Sequence, residues 1–275
     1  MPLDLQELRE IRDVAQRIAM GAGDLLLTGW RSGDPQVRKK GAIDLVTDYD
    51  LRSEELLRRQ LEDAFPTDAI VGEEGDPTGN GDRIWYVDPI DGTTNFAHGH
   101  FFFCVSLGLV DADERAVGIV HAPALGTTWT AARGLGTERN GERVSVSTTR
   151  SLDEALAATG FPYDRRETED DNVRETAAAL ARVQGIRRCG SAALDLALVA
   201  DGTYDLFWEQ TLGPWDGAGG AALVDEAGGR VTGYGGDPFD LRAGHVVATN
   251  GPLHDAVLAL LREARVGLPP PRGKG

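Results

Sequence analysis

Cysteine is nearly absent. Cys104 and Cys189 are the only two, with no Cys-x-x-Cys pair and no Cys/His cluster. A disulfide framework and a structural zinc are thereby excluded, and both residues read as plain buried thiols. Basic residues are also scarce, with 28 Lys and Arg against 44 Asp and Glu and a formal net charge of −16. The compact basic groupings, Arg38-Lys39-Lys40, Arg58-Arg59, Arg165-Arg166 and Arg187-Arg188, are all short. Nucleic-acid backbones call for larger ones, which argues against nucleic acid as the main partner. Long apolar runs are missing as well. Phe101 to Val110, the longest, reaches about half a membrane span. Met1 to Glu10 lacks the basic stretch and apolar core of a secretory signal. Together these absences predict a soluble cytoplasmic protein.

What is present suits a globular enzyme. Hydrophobic residues make up 41% of 275, enough for a sizeable core in one large domain or two packed subdomains. Apolar residues at helical spacing, from Leu8 through Ile11, Val14 and Ile18, predict an amphipathic helix over 4–29. The polar stretch 32–44 reads as a hairpin or mobile loop. Thr47 with Asp50 resembles a capping box opening a helix through Leu51, Leu57 and Leu61. Short strands follow at 69–72 and 83–87, then at 101–110, 115–121, 127–132 and 142–147, with Asn140-Gly141 as a hairpin turn. Beyond residue 150 the pattern alternates. Strands are expected at 156–159, 185–189, 204–208 and 245–249, and helices at 168–183, 191–199, 218–226 and 253–265. The two halves, 1–150 and 151–275, are expected to pack into one catalytic unit.

Carboxylates stand where strands end or helices begin: Glu73-Glu74, Asp88 with Asp91, Asp216, and the group Asp44, Asp48 and Asp50. Singly these are ordinary, since Asp-Gly usually marks a turn and Glu-Glu a solvated edge. The octet Asp88-Pro89-Ile90-Asp91-Gly92-Thr93-Thr94-Asn95 is different. Proline fixes the backbone between two carboxylates, Gly92 permits close approach, and Thr93-Thr94 add hydroxyls and amides. Such a segment can hold hard divalent cations and offer backbone amides to a phosphate beside them. In so acidic a chain, bound cations would reverse the local field for an anionic substrate.

These residues resemble the inositol monophosphatase family of lithium-sensitive, magnesium-dependent phosphatases. The resemblance lies in Trp85 through Phe96 and in Trp215-Asp216-Gly217-Ala218-Gly219-Gly220. It extends to Gly190-Ser191-Ala192-Ala193-Leu194-Asp195, Gly72-Glu73-Glu74, and Asp44-Leu45-Val46-Thr47 with Asp50, and so spans roughly residues 5 to 265. It implies an α/β fold: a layered αβαβα sandwich with an α+β N-terminal half around a large antiparallel sheet and an α/β C-terminal half. It also implies a homodimer. Glu73, Asp88 and the Ile90 carbonyl would hold one Mg²⁺, and Asp88, Asp91 and Asp216 a second. A weaker third ion would sit near Glu73, and Mn²⁺ could substitute. Thr93, hydrogen-bonded to Asp50, would help deprotonate the attacking water, with Glu73 in the same shell. The Gly92 and Thr93 amides would cradle the phosphate. Lys39 falls where the family carries a loop lysine near the metals, and Asp91, Ala192 and Glu209 would contact an inositol substrate. Against the family pattern, Gly217-Ala218-Gly219-Gly220 is richer in glycine and weakens its helix slightly. Gly99-His100-Phe101 replaces a proline-bearing stretch, which leaves His98 and His100 to surface or supporting roles.

The expected activity is hydrolysis of a small phosphate monoester, myo-inositol monophosphate or a near relative. The alternatives within the superfamily are histidinol phosphate, fructose bisphosphate or a nucleotide phosphate. A bisphosphatase would need a further basic pocket, for which Arg165, Arg187 and Arg188 are the candidates. A different alternative is a binding or regulatory partner in RNA processing.

Overall fold

The computed structural model describes residues 3–32, 37–39, 45–112 and 114–272. Asp44, Lys40 and the side chain of Lys39 lie outside the described residues. The N-terminal helix α1 (Leu5–Ser32) buries one stripe, including Leu8, Ile11, Ala15, Ile18, Ala22 and Leu26, at the spacing of a single helical face. Strands β1 (Val37–Lys39) and β2 (Leu45–Thr47) pair antiparallel. Helix α2 (Asp48–Ala64) opens on the expected capping box. Asp50 Oδ2 accepts the Thr47 amide at 2.7 Å, and Thr47 Oγ1 accepts the Tyr49 amide at 3.1 Å.

A seven-stranded sheet follows in simple chain order. Its members are β3 (Ala69–Gly72), β4 (Arg83–Asp91), β5 (Cys104–Asp111), β6 (Glu114–Ala122), β7 (Thr127–Ala132), β8 (Gly136–Arg139) and β9 (Glu142–Val144). Only β3 and β4 run parallel, and the rest is an antiparallel meander. The short helix α3 (Thr93–Ala97) leaves the end of β4. A five-stranded sheet is built from β10 (Leu156–Thr159), β11 (Gly185–Arg187), β12 (Leu206–Gln210), β13 (Arg230–Thr232) and β14 (His245–Thr249), in the order β11-β10-β12-β14-β13. Its helices are α4 (Val173–Leu180), α5 (Ala192–Ala200), α6 (Pro214–Glu226) and α7 (His254–Ala264).

Three apolar clusters hold the layers together. One joins α1 and α2 to the outer face of the large sheet, a second fills the space around α5 and α6 between the sheets, and a third lies under α4 and α7. The result is an αβαβα sandwich. No helix among the described residues is long and apolar enough to cross a membrane.

Several elements differ from the sequence reading. Helix α4 begins at Val173, not 168, because Asp170 and Asn172 turn inward as buried hydrogen-bonding groups and Asn172 adopts φ 68°. Gly136–Arg139 is a strand that the sequence reading left unassigned, closed onto β9 by Asn140-Gly141 with φ of 50° and 80°. Strand β4 continues through Asp88-Pro89-Ile90-Asp91, with a register shift there that absorbs the proline. Strand β13 and helix α3 were not expected. Cys104 is buried as foreseen, but Cys189 is only half-buried. The glycines of α6 do not loosen it. A Cβ at Gly118 would stand 2.4 Å from the Gly219 carbonyl, and one at Gly220 would stand 2.6 Å from Leu196 Cβ. Small residues let α6 lie directly on β5, β6 and α5, and that packing outweighs their poor helix propensity.

Candidate active site

A cavity of about 480 Å³ opens where the C-terminal end of β4, the first turns of α5 and α6, and the end of β12 converge. At one end, Asp88, Asp91 and Asp216 each place a carboxylate oxygen within 4.8 Å of the other two. Asp88 is buried on β4, and its Oδ1 accepts the Ile90 amide at 3.0 Å across the proline. Asp91 ends the strand. Its Oδ2 accepts from Ser191 Oγ at 2.7 Å and from the Ala193 amide at 2.6 Å, at the start of α5. Asp216 is the third residue of α6, and its Oδ2 accepts the Gly213 amide at 2.6 Å. At least one oxygen of each carboxylate is thus engaged in holding it in place. Burial first, and the charge of Asp216 second, push the Asp91 carboxyl well above its ordinary range.

Glu73 lies on the loop after β3 and lines the same cavity. Buried Glu54 of α2 sets that loop. Its carboxylate accepts the Glu74 and Gly75 amides, both at 2.8 Å, and pairs with Arg58 at 2.7 Å. Thr93 stands at the start of α3, where Gly92 adopts φ 99°. A Cβ on Gly92 would stand 3.0 Å from the Phe102 carbonyl, so glycine alone fits. Thr93 Oγ1 lies 3.0 Å from Asp50 Oδ1 and 3.0 Å from the Ile90 carbonyl, a donor poised between two acceptors. The amides of the first helical turn have no intrahelical partner. Asp50 is buried, and desolvation raises its carboxyl to about 6 against the hydrogen bonds from Thr47 and Thr93.

Ala192 and Glu209 line the same cavity, Ala192 lying between the Ser191 and Ala193 groups that hold Asp91. Glu209 sits on β12, not at an exposed strand end, and Gly160 leaves it room, since a Cβ there would stand 2.0 Å from Oε1. Burial raises its carboxyl to about 8, with Arg188 opposing and Asp216 and Asp91 adding. His98 lines the cavity rim, and His100 is exposed and stacked on Phe101. Glu74 is held by its amide. Asp48 is half-buried in the first turn of α2.

Sequence reasoning gave Ser191, Glu54, Asn95 and Asp195 no role of their own, and named Arg165 and Arg188 only as candidates for a further basic pocket. Ser191 and Glu54 grip neighbouring site segments, and Asn95 donates to the Phe102 and Cys189 carbonyls at 2.6 and 2.8 Å, drawing the 189–192 stretch towards Asp91. Asp195 is buried behind Glu209, and its Oδ1 has no hydrogen-bond partner among the described residues. Arg165 and Arg188 both line the cavity, Arg188 lying over the Phe161 ring. A buried acid on a helix and a paired arginine look alike in sequence whether or not they face a cavity.

The comparison with known proteins decides the family. The model of the inositol monophosphatase family matches residues 7–265. The chain belongs to the inositol monophosphatase family. A Synechocystis inositol-1-monophosphatase is 42% identical over 92% of this chain and 88% of its own length. The Nus factor SuhB of Pseudomonas aeruginosa is 39% identical over 93% and 97%. The solved structure of the inositol monophosphatase from Anabaena superposes with a TM-score of 0.86 at 38% identity, covering 96% of this chain and 98% of that one. The layered fold is therefore that of the family, and the chain is a phosphoric monoester hydrolase.

The three-carboxylate cluster also tests whether a cation suits the site. All its donors are hard oxygens, they converge, and Asp91 resists carrying its charge alone. That donor set fits a divalent cation of the Mg²⁺ type.

Proposed function

We propose that this chain is a Mg²⁺-dependent phosphomonoesterase acting on myo-inositol monophosphate or a closely related small polyol phosphate, with Mn²⁺ able to substitute. One observation carries the reading: a cavity in which the carboxylates Asp88, Asp91 and Asp216 converge and which Glu209 also lines. Glu73, Asp88 and the Ile90 carbonyl would hold one ion, Asp88, Asp91 and Asp216 a second, and the vicinity of Glu73 a weaker third. The Ile90 carbonyl can serve both an ion and Thr93, because it has two lone pairs. Bound cations would supply the charge that draws in the phosphate and acidifies a water.

The chain's own groups do the rest. The Gly92 and Thr93 amides orient the phosphate. Thr93 Oγ1 accepts the water's proton as its own passes to Asp50 Oδ1, 3.0 Å away. Asp50, raised to about 6, is a better acceptor than an ordinary aspartate. Glu209 accepts two neighbouring hydroxyls of the polyol, Ala192 borders the ring, and the family resemblance supports a further contact from Lys39. The 1–150 and 151–275 halves work as one unit across this cleft. The family resemblance further supports inhibition by Li⁺ and a cytoplasmic homodimer, the latter checked by sedimentation at micromolar concentration.

A phosphate-release panel tests the substrate. Inositol 1-phosphate is expected to give the highest kcat/KM, ahead of histidinol phosphate, fructose 1,6-bisphosphate and adenosine 3′,5′-bisphosphate, and only with a divalent cation. Release without a divalent cation would overturn the reading. A bisphosphate is the second reading. It is favoured by Arg165, whose guanidinium is pushed below its usual range by burial and by the nearby charges of Arg188 and Arg166. A preference for fructose 1,6-bisphosphate would select it.

A further inference from the structure

Two walls of the cavity come from segments with little regular structure. One is the 160–172 connection between β10 and α4, which contributes Phe161, Pro162, Tyr163 and Arg165. The other is the end of β12, where Thr211 adopts φ 62° and also lines the cavity. Long connections without helix or strand need tertiary ties to hold one shape. The root of the 160–172 connection has them. Asn172 donates to Thr159 Oγ1 at 2.8 Å, and Gln210 donates to Asp170 Oδ1 at 3.0 Å. Arg265, at the end of α7, pairs with Asp170 at 2.8 Å and also with Glu175, all three side chains being almost wholly buried.

From that anchor the C-terminal segment runs back across the outside of both walls. Arg265 Nη2 donates to the Pro269 carbonyl at 2.8 Å and fixes the direction of the segment. The Thr211 amide donates to the Arg272 carbonyl at 3.1 Å, which ties the β12 wall. The Arg272 guanidinium grips Asp164 with two nitrogens, at 2.7 and 3.3 Å, and donates to the Asp170 carbonyl at 3.2 Å. Asp164 sits between Tyr163 and Arg165, both of which face the cavity. A planar fork on a carboxylate fixes orientation as well as distance, so one side chain sets the tip of the loop against the end of β12.

We propose that Leu268–Arg272 is a strap that fixes the substrate-side walls of the active site, and that Arg272 is a positioning residue for substrate binding. This rests on reading the cavity as the substrate site. Arg272 touches neither the acidic cluster nor the phosphate end, so it acts on recognition of the polyol and not on the chemical step. It governs how often the 161–165 wall is already in its binding shape, and its loss reduces the binding-competent fraction.

The test compares Arg272→Ala, Arg272→Lys, Asp164→Asn and the Arg272→Ala/Asp164→Asn double variant, with Glu209→Gln as the control for the substrate site. Arg272→Ala is expected to raise KM for inositol 1-phosphate about three- to tenfold, the range of a half-exposed pair within a network, with kcat little changed. The Mg²⁺ concentration for half-activation and the KM for p-nitrophenyl phosphate stay near wild type. Arg272→Lys recovers part of the loss, and the double variant is no worse than Arg272→Ala, because one pair is being removed twice. Where Arg272→Ala is too unstable to assay, Asp164→Asn breaks the same pair from the loop side. An unchanged KM in both single variants, additive effects in the double, or a kcat that falls with Mg²⁺ affinity overturns the strap. If Glu209→Gln also leaves KM unchanged, the failure belongs to the substrate site. If Glu209→Gln raises KM and Arg272→Ala does not, it belongs to the strap alone.

Discussion

Replacing Asp216 by asparagine is expected to make the metal-free protein more stable while weakening its hold on the second cation. The three carboxylates of the cluster approach within 4.8 Å of one another. Two unit charges at that distance repel by about 1 kcal/mol in water and about 3–4 kcal/mol at an effective dielectric of 20. Asp216 is half-buried, so removing its charge should return about 1–3 kcal/mol in the absence of metal. For a chain of this size that is roughly 2–5 °C in melting temperature. Asparagine keeps an oxygen for the Gly213 amide, so the start of α6 stays capped.

The pH dependence has a definite sign. Asp91 is raised in the folded state, so its cost is absent below the ordinary carboxylate range and grows as pH climbs towards its folded value. The gain from Asp216→Asn therefore grows between pH 5 and 8 and vanishes in acid. The assay is thermal unfolding of both proteins in chelator and in saturating Mg²⁺. Wild type rises with Mg²⁺ through preferential binding to the folded state, and the variant rises less. A variant that melts below wild type in chelator, or that gains the same Mg²⁺ shift, refutes the reasoning.

Above pH 8, where the Glu209 carboxyl is ionised, Glu209→Gln is expected to raise KM for inositol 1-phosphate about ten- to a hundredfold, the cost of losing a charge-assisted contact, with little effect on p-nitrophenyl phosphate, as steady-state assays on the two substrates will show. Because Asp91 must shed a proton to take a cation, titration calorimetry should find Mg²⁺ affinity rising from pH 6 to pH 8, by up to about tenfold per unit for each proton released. A flat profile would mean that no raised carboxyl lies in the site. Li⁺ in the millimolar range should inhibit by competing for an ion position, read as loss of phosphate release that added Mg²⁺ changes. Gly118→Ala would press a Cβ to 2.4 Å from the Gly219 carbonyl and should cost about 3 kcal/mol or more of stability, visible in denaturant unfolding as a shifted midpoint.

Much of this molecule was legible because its signals are local. The periodicity of α1 and the Thr47–Asp50 capping box are each written within a few residues. The same holds for Asn140-Gly141 and the Asp88–Asn95 octet. Elements whose ends depend on distant partners were read less well. Helix α4 starts late because Trp208, Gln210 and Arg265 claim Asn172 and Asp170. The glycines of α6 looked like a weakness and turned out to be what lets it touch the sheet. Glu54 and Arg272 left no mark in the sequence, and Ser191 and Asn95 stood in its motifs without a role, because each acts by gripping a segment remote from it.

Taken alone, the sequence determined the type of chemistry available: hard oxygen donors at strand ends and glycine where the backbone turns tightly, in a chain of net negative charge. Tertiary structure decided which carboxylates meet, which oxygen of each is committed to an amide or hydroxyl, and how far burial lifts Asp50, Asp91 and Glu209 from their ordinary ionisation. The physical reason is range. Propensity, capping and turn geometry are settled by neighbours in the chain, whereas repulsion, desolvation and cavity shape depend on groups that only folding brings together.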